Sequence, residues 1–72
     1  MKYAVIFERT ATGWSAHVPD LPAVLVTGPP DLDQMRGQVA SAIAFHIRGL
    51  RADGDAVPEP ETHVEEIEAS AA

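Results

Sequence analysis

Apolar and polar positions divide the chain into three short stretches that alternate like strands and one long stretch with helical period. Lys2 to Glu8 (KYAVIFE) is rich in β-branched and aromatic residues, which suits a first strand. Tyr3, Val5 and Phe7 fall on one of its faces, and Ala4, Ile6 and Glu8 on the other. Arg9 to Gly13 is a polar turn closed by glycine. Trp14 to Val18 then reads as a second strand paired with the first as a hairpin, with Trp14, Ala16 and Val18 on one side and Ser15 and His17 on the other. Pro19-Asp20-Leu21-Pro22 reads as a rigid loop, because each proline fixes φ and restricts the residue before it. Ala23 to Thr27 is a third strand, almost wholly apolar.

From Asp31 to Gly49 the period changes. Leu32, Met35, Val39, Ile43, His46 and Leu50 recur at intervals of three and four, which places them on one stripe of a helix. Asp31 is its N-cap, with Gln34 three residues on. Pro29 and Pro30 precede the cap, where a missing N–H does no harm. Gly49 and the Asp53-Gly54 pair are the stop signals, and the end is expected between them. Asp53 to Pro60 follows as a loop. His63 to Ala69 is a candidate for a short last strand, although Val64 and Ile67 fall on opposite faces of it.

The expected fold is therefore α+β with the order β-β-β-α-β: a three-stranded antiparallel meander, one helix and a short last strand. One helix covers one sheet face. The other is left with Tyr3, Val5 and Phe7 or with Ala4 and Ile6, depending on register, and apolar residues there favour a second subunit.

Size and charge sharpen this picture. Seventy-two residues form a single domain, 1–72, and a core of that size is marginal alone. Cysteine is absent, so disulfides and cysteine-based zinc sites are excluded and oligomerisation becomes the favoured source of stability. The expectation is a homo-oligomer, a dimer or higher. The net charge of −6 is uneven. Residues 1–52 hold five bases and four acids, whereas residues 53–72 hold seven acids and no base. This acidic loop and tail repels phosphate backbones, so no direct nucleic-acid binding is expected; a basic protein partner suits it. The apolar run before Glu8 is too short for a secretory signal, and no membrane span or membrane partner is expected. The default localisation is cytoplasmic.

Catalytic patterns are sparse. The glycines form no phosphate loop, and no serine elbow is present. His17, His46 and His63 stand alone, without metal-ligand spacing. Glu8 is the one carboxylate on a well-defined strand that could serve a metal-dependent nuclease, which needs several. No catalytic residue, metal ligand or cofactor is therefore assigned. Three surface readings remain. Asp20 and Leu21, held between two rigid turns, are candidate partner contacts; alternatively Asp20 closes an Asx turn on its own backbone. Phe45 lies off the apolar stripe and is a further candidate partner contact. Trp14 and His46 are expected in the core or an oligomer interface, with His46 mostly buried.

These segments together resemble the HicB-type antitoxin domain. The resemblance rests on KYAVIFE, GWSAHVPDLPAV, VTG, AIAFHIRGLRADG and VPEP, and spans roughly residues 2–60. Two departures stand out: Ala23-Val24 occupies the place of the family's Gly-Cys, and Pro29-Pro30 adds one residue before the helix. The resemblance implies a partial RNase H-like fold without RNase H activity. It also implies a non-enzymatic role, the neutralising of a small basic mRNA-cleaving HicA-type toxin by covering its RNA-binding and catalytic surface. Many members of the family carry a further DNA-binding domain. None follows in this sequence, so operator binding of its own is not expected. An orphan oligomeric α+β domain or adapter without a toxin is the alternative, and a residual metal-dependent nuclease the third.

Overall fold

A computed structural model describes residues 1–71; Ala72, the last residue of the expected tail, lies outside the described residues. The elements are β1 (Ile6–Arg9), β2 (Trp14–Val18), β3 (Leu21–Gly28) and α1 (Leu32–Ala52). The three strands form one antiparallel meander in the order β1-β2-β3. The α+β class and the three-strand, one-helix order thus stand as the hydrophobic pattern implies.

The first strand is shorter than its composition suggests. Ile6 pairs with His17, and beyond Val18 the partner strand turns away at Pro19, which has no N–H to offer residues 2–4. The third strand is longer. Pro19 and Asp20 alone form the turn, flanked by the paired residues Val18 and Leu21. The register then slips, because His17 pairs with Leu25 and leaves Pro22, Ala23 and Val24 as a bulge. Pro22 fits there, since a bulged position needs no ladder donor. The expected last strand over His63–Ala69 is not formed: among the described residues, 55–71 contain no helix or strand. Its two large apolar side chains are both exposed, Val64 at 58% and Ile67 at 86%, so it has no face to bury.

One face of the sheet carries the core. Ala16, Val18, Leu21, Val24, Met35 and Val39 are buried, with Tyr3, Val5, Phe7, Trp14 and Val26 packed against them. Tyr3, Val5 and Phe7 are therefore on the covered side, and the open face carries Ile6, Ser15, His17 and Leu25 instead.

Asp31 caps α1 as expected, its Oδ1 accepting from the backbone N–H groups of Asp33 at 2.9 Å and Gln34 at 3.2 Å. The helix runs through Gly49 and stops at Asp53, whose N–H donates to the Gly49 carbonyl at 3.1 Å. Gly54 follows with φ +73°, a left-handed conformation that suits glycine as the helix terminator. At 1.5 Å per residue, α1's 21 residues extend about 32 Å, against about 17 Å for the five residues of β2. The helix overhangs the sheet. Burial along the stripe is accordingly complete at Met35 and Val39 and only partial at Ile43, His46 and Leu50.

After the helix the chain returns across the start of the sheet. The Tyr3 hydroxyl donates to the Pro58 carbonyl at 2.6 Å, and Val57 and Pro60 are half-buried. This strap and the free tail beyond it lengthen the molecule to 52 × 27 × 16 Å. The radius of gyration is 14.3 Å, against about 11 Å for a compact chain of this length. Among the described residues, no helix is long and apolar enough to cross a membrane.

Candidate functional site

Three places on the surface combine defined geometry with chemistry. The first is the β2–β3 turn. Asp20 sits at its tip, between Pro19 and Leu21, so its backbone is fixed on both sides. Its carboxylate does not close an Asx turn. Oδ2 accepts from the backbone N–H groups of Glu61 at 3.1 Å and Thr62 at 3.0 Å, and Oδ1 accepts from the Thr62 hydroxyl at 2.9 Å. The carboxyl is held below its usual value, chiefly by the Thr62 backbone N–H. Partial desolvation opposes this, while the Thr62 hydroxyl and the Glu61 N–H add to it. Asp20 is thus a clasp for the strap, and its donors come from the chain itself. Leu21, read from sequence as a partner contact beside it, is 0% exposed and belongs to the core. Its side chain anchors the turn from below, because burial leaves it nothing to offer a partner.

The second place is the opposite end of the hairpin. The Trp14 indole N–H donates to the Pro30 carbonyl at 3.1 Å, tying β2 to the segment that leads into α1. The Arg9 guanidinium lies 5.2 Å from the Trp14 ring centroid, within cation–π range. An open hollow of about 270 Å³ between them is lined by Arg9, Thr10, Ala11, Thr12, Gly13, Trp14 and Pro30. The closeness of the β1–β2 turn to the helix lead-in depends on Gly13: a Cβ there would lie 2.1 Å from the Gly28 carbonyl oxygen.

The third place is the free edge of β3, beneath the overhanging helix. Phe45 is 73% exposed and Leu25 is 66% exposed. With His46, Ala42, Ala23 and Val24 they line a hollow of about 320 Å³. His46 is half-buried here rather than mostly buried, because the sheet ends below this part of the helix. The structure thus brings Phe45 and His46 together on one hollow, whose lining does not include Asp20.

Metal-binding carboxylates do not converge. Glu8 lies 3.8 Å from His17 on the open sheet face, and among the described residues no three His, Asp or Glu are grouped to hold a metal ion. His63 and Glu65 pair locally in the tail, at 3.0 Å.

Thr62 on the strap and Tyr3 on the body, which complete the two ties, carry no signal of that role in the sequence. A threonine in an acidic tail is unremarkable until the fold brings it against Asp20, which lies 42 positions earlier. No family model, no curated protein and no solved structure matches this chain.

Proposed function

We propose that this chain is an antitoxin-type binding protein. It neutralises a small basic, mRNA-cleaving toxin in the cytoplasm by covering the toxin's RNA-binding and catalytic surface, with no chemistry of its own. The observation that carries the reading is the asymmetry of charge on a strapped fold. Seven acids and no base lie in residues 53–72, while the body that precedes them is close to neutral. Asp20 and Tyr3 tie the strap to that body, and beyond Thr62 the chain is exposed, with Val64 and Ile67 uncovered among Glu65, Glu66 and Glu68. A basic surface shaped to hold RNA phosphates is attracted to such a segment, and the attraction raises association rate and selectivity. The likeness of residues 2–60 to the HicB-type domain supports the same reading, as does the meander-plus-helix order.

The test is to mix the protein with the basic, double-stranded-RNA-binding-like protein encoded by the adjacent reading frame and to follow cleavage of an mRNA. A stable complex and suppressed cleavage are expected. Absence of such a neighbour, or cleavage unaffected by excess protein, points instead to the orphan oligomeric domain. A Mg²⁺ titration that changes neither thermal stability nor added RNA separates both from a metal-dependent nuclease.

A further inference from the structure

Val64 and Ile67 fall on opposite faces of a strand, and both are exposed, at 58% and 86%. On a helix they share a face. At 100° per residue, Val64, Ile67 and Ala71 lie within an arc of about 60°, which His63 and Glu68 border. Glu65 and Glu66 fall on the far side and near the start, where acids suit the helix dipole. The apolar spacing that denies this segment a face as a strand gives it one as a helix.

The start of such a helix is already held in place. Thr62 and Glu65 have the Thr-x-x-Glu spacing of a capping box. The Thr62 backbone N–H, which the glutamate of the box ordinarily binds, donates to Asp20 Oδ2 at 3.0 Å. The Thr62 hydroxyl gives its one proton to Asp20 Oδ1 at 2.9 Å, and its lone pairs stay able to accept the Glu65 N–H as an N-cap does. Asp20 thus orients Thr62 without using up its capping oxygen. Alone, the segment does not form the helix: among the described residues, 55–71 have no helix or strand. Nine residues, 63–71, fall short of the roughly 12–15 that an isolated helix needs. Glu65 and Glu68, three positions apart, would also repel each other on it. His63 pairs instead with Glu65 at 3.0 Å, a contact between residues that a helix turns away from each other.

We infer that residues 63–71 fold into a docking helix on the partner, with Thr62 as N-cap, and that Val64, Ile67 and Ala71 enter an apolar groove on a basic protein. Charge decides the occupant. Residues 53–72 carry seven acids and no base, so a basic surface both attracts the segment and relieves the repulsion between Glu65 and Glu68. A neutral groove leaves that repulsion in place, and a second copy of a chain carrying −6 adds to it. A short amphipathic helix laid into a groove through anchors three and four residues apart is a common mode of recognition. The ties at Tyr3 and Asp20 already order the strap, so the entropy lost on docking is confined to the residues beyond Thr62. The partner is the one that the antitoxin reading supplies, and in this the inference rests on that reading; what it adds is the segment that docks and the form that segment takes.

Titration of the isotope-labelled full chain with the basic protein encoded by the adjacent reading frame, followed by NMR and by calorimetry, tests it. Residues 63–71 should lack helical Cα shifts in the free chain and acquire them in the complex. Glu68→Pro and Glu68→Gln lose the same charge at an exposed position, and only the proline forbids the helix. Both keep Val64, Ile67 and the Asp20 clasp. Glu68→Pro should bind more than about tenfold more weakly than Glu68→Gln. Thr62→Val, without a hydroxyl to cap, should bind several-fold more weakly than Thr62→Ser, which keeps one. Equal binding within either pair, a complex in which 63–71 stay irregular, or full helical shifts in the free chain would overturn the docking helix and leave the antitoxin reading standing. A wild type that forms no complex would overturn that reading, and the docking helix with it.

Discussion

Asp20 and Thr62, 42 residues apart, are joined twice: the carboxylate accepts the Thr62 backbone N–H at 3.0 Å on one oxygen and the Thr62 hydroxyl at 2.9 Å on the other. The contact converts a tight turn into an anchor for a segment with no regular structure. Since that segment has little apolar burial of its own, its order depends on a few polar ties, and these can be removed one at a time.

Replacing Asp20 with Ala removes every acceptor at the clasp. The strap should detach while α1 and the sheet persist, because Leu21 beneath the turn stays in the core. Limited proteolysis should then cut between Asp55 and Glu65 faster than in the wild type, with unchanged helix content by circular dichroism. Thr62→Val, which keeps the backbone donor, should show a smaller acceleration. Equal cleavage in all three proteins would show that Asp20 does not hold the strap.

The same contact should respond to acid. The folded carboxyl of Asp20 lies below its usual 3.8, so the clasp is fully formed above that value and is lost as pH falls through the lower, folded one. Carbon-13 NMR titration of the Asp20 carboxyl should give a midpoint below that of an unstructured aspartate. Thr62→Val should move the midpoint upward by removing the hydroxyl donor, leaving the stronger backbone N–H in place.

Two glycines should give opposite results when replaced by alanine. At Gly13 the new Cβ would meet backbone, 2.1 Å from the Gly28 oxygen and 2.9 Å from the Pro29 carbonyl carbon, so the hairpin end must shift away from the helix lead-in. A loss of about 2 kcal/mol or more is expected in urea denaturation, in the range of severe overpacking. At Gly37, inside α1, the Cβ meets nothing within 4 Å, so Gly37→Ala should stabilise the protein by up to about 1 kcal/mol through helix propensity.

Along α1, the cost of substitution should fall from the buried N-terminal turns toward the C-terminal half. Met35 is 0% exposed, and Met35→Ala should cost about 2–5 kcal/mol. His46 is half-buried at the overhang, so His46→Asp should destabilise the subunit without unfolding it, since the carboxylate can turn toward water. Denaturation midpoints at fixed protein concentration, compared with an equal slope against urea, distinguish the two. Complete loss of helix on His46→Asp would place the histidine deeper than the fold has it.

Local pattern alone was enough to determine the elements whose information is contiguous. Alternation at Trp14–Val18, the three-and-four spacing from Leu32 to Ile43, and the cap at Asp31 each concern neighbours along the chain, so the strands, the helix and its start could be read directly. That the −7 charge balance belongs to one segment was equally plain. What only the tertiary structure decided are relations between distant residues. The bulge at Pro22–Val24 follows from which residue His17 meets across the sheet. The partial exposure of His46 follows from a helix longer than the strands beneath it, which periodicity cannot register because the stripe continues unbroken past the sheet's end. Leu21 and Asp20, adjacent in sequence, part company because one side chain enters the core and the other turns to the strap. The strand expected over His63–Ala69 is not formed: Val64 and Ile67 both stay exposed, so the segment has no face to bury against either sheet edge. A strand is stabilised by cross-strand pairs and a buried face, and neither is a property of the segment itself.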